Sequence, residues 1–220
     1  RPGLPRIEPM TADAPRRSPA RAVARFVASV LMVSGVLLIA VAGITVAWQE
    51  PVSAFVADRH QANLEQELED PPRRVLDRRP LPGDAIAKIE IPSIGVDEYV
   101  VEGTATDDLR KGPGRYPDTP YFGEPGTAAI AGHRTTYGAP FRDIDKLRRG
   151  QVIYLTTPTH RYVYRVTDNR IVDDQDLSVL EPVGHKQLIL SACHPLYSAA
   201  QRVVVFARQV SEKRLMRTVG

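Results

Sequence analysis

The sequence predicts an all-β domain, a closed or nearly closed β-barrel with short helices, behind an amino-terminal membrane helix. Three observations carry this. From residue 85 onward the chain falls into short β-rich runs broken by Gly and Pro. The helical patches among them, 106–110 and 141–147, are brief. Strands alternating with long helices, the mark of a doubly wound α/β fold, are absent. Seven or eight strands in so short a stretch suit a barrel, which leaves no open sheet edge.

The chain has 220 residues with 43% apolar and 25% charged side chains, enough to bury one core. It carries 29 basic and 26 acidic residues, and residues 1–25 alone hold six Arg against Glu8 and Asp13. The remainder therefore sums to about minus one, and a basic nucleic-acid-binding domain is excluded. A single cysteine, Cys193, excludes an internal disulfide and any multi-cysteine metal centre.

Residues 1–25 read as a disordered cytoplasmic tail, with five Pro among the first twenty. Residues 26–47 contain no charge and are long enough to cross a hydrocarbon core of ~30 Å as a helix. A cleaved signal peptide is the competing reading, but its apolar region would be shorter. Arg16, Arg17, Arg21 and Arg25 precede this run, whereas residues 48–70 hold Arg59 against six carboxylates. The positive-inside rule then places the amino end in the cytoplasm and the rest outside the cell, with Trp48 at the interface. Residues 48–84 form an extracytoplasmic stalk and linker. Helix-forming composition from 53 to 69 predicts a helical stalk, and 71–84, with four Pro and four Arg, a stiff linker without folded structure.

The folded domain spans 85–210, with strands expected at 85–91, 96–101, 127–131, 152–156, 161–172, 187–191 and 202–210, and a tail at 211–220. Cys193 ends an apolar run and is followed by His194-Pro195, so the thiol sits where a strand gives way to a loop. A free Cys is commonly a small buried hydrophobe; a reactive one needs a base or a charged partner. His194 adjoins the thiol but projects to the opposite face of the strand. His133 ends another strand, between Gly132 and a loop containing Gly138, at the rim of the sheet. Arg202 opens the apolar run 203–207, with Val203, Val205 and Ala207 on one face and Arg202, Val204, Phe206 and Arg208 on the other. Its guanidinium suits a developing oxyanion or a peptide carbonyl. No metal site or cofactor is indicated: Glu102, Asp107 and Asp108 read as a short solvated charge cluster.

The segments Ala131-Gly132-His133-Arg134-Thr135-Thr136-Tyr137-Gly138 and Ile189-Leu190-Ser191-Ala192-Cys193, with Arg202 nine residues on, resemble the histidine, TLxTC and arginine segments of the sortases. The pattern is most similar to the class E sortases of actinobacteria. The resemblance implies an eight-stranded barrel with Cys193, His133 and Arg202 catalytic. It implies cleavage of a Leu-x-x-Thr-Gly-type signal after Thr, through a thioacyl enzyme. The partners it implies are secreted proteins bearing a carboxyl-terminal sorting signal and a peptidoglycan precursor amine. It also puts Ala192 at a substrate-contacting position, as a methyl where the family has a Thr hydroxyl. Tyr116 falls where class E members carry a tyrosine associated with Leu-Ala-x-Thr-Gly signals. Two other readings stand beside it. An L,D-transpeptidase also places His before Cys, but its Ser-His-Gly-Cys-type motif is absent; a membrane-anchored β-barrel binding module would leave Cys193 buried and inert.

Overall fold

In the computed structural model the backbone is described for residues 19–181 and 183–215, and their side chains except at 19, 22, 44–52 and 54. The expected tail up to residue 18, the Trp48 side chain and residues 216–220 lie outside the described residues. The chain divides into two units, Arg1–Ala47 and Trp48–Gly220.

Helix α1 is assigned from Pro19 to Glu69, so residues 19–25 of the expected tail are helical. In the first unit, Val23–Gly43 is one segment long and apolar enough to cross a membrane. Its Leu31, Leu38 and Ile39 side chains are exposed. A helix satisfies its own backbone polar groups, so an all-apolar surface on it suits lipid rather than water.

In the second unit the last turns of α1 are not a free stalk. Ala57, Gln61, Leu64 and Leu68 recur at helical spacing on one face. Leu64 is buried against Ala85 and Val101, with Leu68 and Tyr99 beside it. The Gln61 amide donates to Tyr99 O at 3.1 Å and to Lys111 O at 2.8 Å, and accepts from Tyr99 N at 2.6 Å. A side chain thus supplies the pairing that a neighbouring strand would give Tyr99. The linker expectation is likewise corrected. Residues Arg73–Leu76 form helix α2, whose Val75 joins the main core. Arg74 grips Asp84 through Nε and Nη2, both at 2.7 Å. Composition alone read 71–84 as unfolded because its one anchoring apolar residue sits among prolines and arginines.

Eight strands close the barrel: β1 (Ala85–Ile91), β2 (Val96–Glu102), β3 (Gly114–Arg115), β4 (Gly126–Ala131), β5 (Val152–Thr156), β6 (His160–Asp173), β7 (Lys186–His194) and β8 (Gln201–Arg214). Around the barrel the order is β1-β2-β3-β4-β7-β8-β6-β5, with β5 returning to β1. The pairs β2–β3 and β4–β7 are parallel and the others antiparallel. Strand β3 has only two residues between Pro113 and Tyr116-Pro117, too few for any periodicity to announce it. Strand β8 runs to Arg214, four residues into the expected tail, because β6 pairs with it as far as His160↔Arg214. Short helices stay short: α3 is Thr106–Leu109, and within the expected patch 141–147 only Ile144–Lys146 is helical, as a 3-10 turn.

Alternation builds the core. Leu188, Leu190 and Ala192 of β7 and Val203, Val205 and Ala207 of β8 face the barrel interior. Ile189, Val204 and Phe206 face outward, against Ala129, Tyr116, Val172, Val179 and Leu180. Each fully buried Leu, Ile or Val contributes roughly 1.5–3 kcal/mol. The outer cluster fixes the segment between β6 and β7 over the sheet, including its 3-10 turn Leu177–Leu180.

Candidate active site

Three chain segments meet at one end of the barrel. Strand β7 brings Cys193 opposite Arg202 of β8, as direct partners in the antiparallel ladder. Opposed residues share a face of the sheet, with Cβ atoms ~4.5–5.5 Å apart. Thiol and guanidinium therefore start from the same side, outside the barrel core. The β4–β7 ladder ends with Ala131↔Ser191, closed by Gly132 N donating to Ser191 O at 3.0 Å. His133 and Cys193 each lie two residues beyond this last rung, on the ends of adjacent strands. Cys193 is half-buried, not the sealed hydrophobe of the binding-module reading.

The loop after β4 folds back at once, with Phe141 N donating to His133 O at 2.9 Å. A Cβ at Gly132 would lie 2.5 Å from Phe141 Cδ2, so only glycine lets this turn close on the Phe141 ring. The His133 ring packs on Tyr137, centroids 5.2 Å apart, and its Nε2 is buried with no protein partner among the described residues. Burial pushes its pKa below the ordinary imidazole value, and the Arg110 guanidinium adds to the effect. No protein group among the described residues therefore takes or holds a proton at that nitrogen.

The Arg202 Nη1 donates to Ala199 O at 2.8 Å and Gln201 O at 3.0 Å, which turns the guanidinium toward the β7–β8 connection. Arg202 also lines a groove with Tyr116, Ser191, Ile189, Leu180 and Val204. Tyr116 is thus on the groove wall, seated there by the outer cluster and by its N–H, which donates to Ala129 O at 3.0 Å. Cys193 lines an adjoining hollow with Arg134, Thr135, Tyr197 and Ser198.

Ala192 does not join them. It is 4% exposed and packs in the barrel interior among Leu190 and Val203, on the face opposite Cys193. The expected substrate contact is corrected accordingly: Ser191, which alternation turns outward, lines the groove instead. The acidic cluster is corrected too. Glu102 is buried and gripped by Arg115 through Nε at 2.8 Å and Nη2 at 2.7 Å, and is not solvated.

One residue next to the site escaped the sequence reading. Arg134 is 3% exposed, and its guanidinium donates to Cys193 O at 3.3 Å, His194 Nδ1 at 3.2 Å and Arg142 O at 3.1 Å, while pairing with Asp145 at 2.8 Å. Guanidinium can only donate, so His194 Nδ1 accepts and the His194 ring carries its proton on Nε2. His194 is thereby engaged away from the thiol side. Among 24 Arg, only its position directly after His133 could have marked Arg134.

A closed β-barrel with a half-buried thiol paired across two strands with an arginine is compatible with cysteine acyl-transfer chemistry. A sortase-domain family profile matches residues 89–210, more than half of the chain. The Bacillus subtilis protein named Sortase D is 34% identical over 137 residues, covering 60% of this chain and 68% of that protein. Sortase SrtE1 of Streptomyces coelicolor is 26% identical over 231 residues, covering 96% of this chain and 64% of its own length. Among solved structures, sortase E from Streptomyces avermitilis is 34% identical with a TM-score of 0.57, over 61% of this chain and 93% of that one. The chain belongs to the sortase family, which consists of cysteine transpeptidases, and it is similar to the class E members of Streptomyces. The L,D-transpeptidase alternative falls with this assignment.

Proposed function

We propose that this protein is a membrane-anchored sortase of class E type that recognises a Leu-Ala-x-Thr-Gly sorting signal, cleaves it after Thr and joins the Thr carbonyl to an amine of a peptidoglycan precursor. The observation that carries the reading is the pairing of Cys193 with Arg202 across β7 and β8, beside the end of the strand that leads into His133. In this reading the Cys193 thiolate attacks the Thr carbonyl carbon and Arg202 holds the oxyanion. His133, as imidazolium, gives its proton to the Gly nitrogen as the Thr–Gly bond breaks, which leaves a thioacyl enzyme. The acceptor amine then attacks that carbonyl and its proton passes to His133 as the carbon–sulfur bond breaks, which restores thiolate and imidazolium. Water in place of the amine would give hydrolysis.

The amino-terminal segment would hold the domain at the outer membrane face, with residues before it in the cytoplasm, where secreted substrates and wall precursors meet. The long apolar helix and the charge asymmetry around it support this topology.

The test is peptide cleavage by the full chain in detergent micelles with an amine acceptor present. Cys193→Ala should abolish turnover, whereas His194→Ala should retain most of it because that ring is engaged by Arg134. Undiminished cleavage by Cys193→Ala would end the mechanism, and equal complete loss in a folded His194→Ala would transfer the acid role to the wrong side of the strand.

A further inference from the structure

We propose that Arg134 is the positioning residue that holds His133 in register with Cys193, a role that rests on the transpeptidase reading above. Beyond Ala131↔Ser191 the β4–β7 ladder stops, and its last rung is Gly132 N to Ser191 O. The two chemical groups lie past that rung, so backbone pairing does not fix their separation. Arg134 supplies the missing connection. Its fork reaches three places at once: the thiol strand through Cys193 O and His194 Nδ1, the far end of the histidine loop through Arg142 O, and the following turn through Asp145. Because Arg134 directly follows His133, anchoring its guanidinium anchors the backbone that aims the imidazole.

The geometry matters because acyl transfer needs proton donor and nucleophile poised together, and a misplacement of ~1 Å can cost ~100-fold in rate. Lysine cannot replace this arginine. Its ammonium is a compact point charge that cannot span three acceptors lying in different directions. Arg134 lines the hollow of Cys193 and not the groove of Tyr116 and Ser191, where the signal would bind in the reading above. The loss on substitution should therefore fall on kcat and spare KM.

The experiment compares full-length wild type, Arg134→Lys and Asp145→Asn in detergent, each checked for folding by circular dichroism. Arg134→Lys should lose ~10–100-fold in kcat with KM within ~3-fold. In a His133→Ala background the same change should cost less than ~3-fold, since an unaimed ring is then missing in both proteins. If Arg134→Lys does not fold, Asp145→Asn keeps the buried charge and should lose several-fold in kcat, with Asp145→Glu restoring most of it. Unchanged kcat, a loss confined to KM, or equal losses with and without His133 would overturn the role. A readout independent of turnover is nitrogen-15 NMR of His194: in wild type its proton sits on Nε2, and in Arg134→Lys the two tautomers should mix. A wild-type His194 protonated on Nδ1 overturns the proposal whatever the activity. Wild type that cleaves no sorting peptide while showing the Nε2 tautomer counts against the transpeptidase reading and leaves the Arg134 contact standing.

Discussion

His133, the proton donor in the proposed reaction, sits where burial and Arg110 both oppose its carrying a proton. Its folded pKa lies below its unfolded value, so over that interval the unfolded chain binds more protons. Stability contributed by the neutral ring is present above the unfolded pKa and lost as pH falls through the folded one. In an NMR titration the His133 ring protons should turn over below the ordinary imidazole pKa of ~6.5. Arg110→Gln should move that titration upward, since the exposed guanidinium is the second cause and burial is left intact. A titration that does not move would remove Arg110 from the electrostatics of the site.

Tyr116 tests the same scale from the substrate side. Its ring occupies the groove wall with Arg202 at the other margin. A phenol there takes the space a proline ring would need, and its hydroxyl can bond a peptide N–H that proline lacks. Differences of this size are worth ~1–3 kcal/mol, so wild type should prefer Leu-Ala-x-Thr-Gly over Leu-Pro-x-Thr-Gly by tens-fold. Tyr116→Ala should bring the two kcat/KM values together in a competition assay, and an unchanged ratio would take Tyr116 out of the site. Cys193, Arg202 and His133 stand out in the sequence because each sits at the break of an apolar run. Ala192 was misread because the motif gives sequence adjacency, while the two-residue strand period turns it into the barrel. Arg134 was illegible because its meaning lies in contacts 59 and 60 positions away.

At the scale of elements, the buried pair Glu102–Arg115 joins β2 to β3 immediately before Tyr116. Arg115 also donates to Thr119 O at 2.6 Å, so one side chain pins the turn carrying the groove wall. Removing one partner leaves a buried charge alone, at a cost of ~3–5 kcal/mol. Arg115→Leu should lower stability by about that much in urea unfolding, and Glu102→Leu with Arg115→Leu should recover much of the loss. A single variant as stable as wild type would mean water reaches the pair. The larger strands were readable from alternation. β3 was not, since two residues carry no period; the helix over 53–69 was readable from its composition, but its packing through Gln61 and Leu64 was not, since a polar Gln interrupts the apolar stripe. That Gln is the residue that pairs with Tyr99.

Over the whole molecule, the barrel order places β4, β7 and β8 side by side, so residues 60 positions apart in sequence share one rim. The long-range pairing β4–β7 is what sets the ends of the histidine and cysteine strands side by side, and neither local propensity nor composition specifies it. The fold class could be read from strand spacing, and closure through β3 could not. In the proposed reaction Cys193 carries the acyl group of a peptide cut after Thr. Mixing the full chain with a Leu-Ala-x-Thr-Gly peptide without acceptor amine, quenching in acid and measuring intact mass tests it directly. The expected result is a mass increase equal to the peptide up to Thr less one water, located on Cys193, abolished in Cys193→Ala and discharged by added amine. A protein that releases cleaved peptide with no adduct on Cys193, or bears the adduct elsewhere, would contradict it.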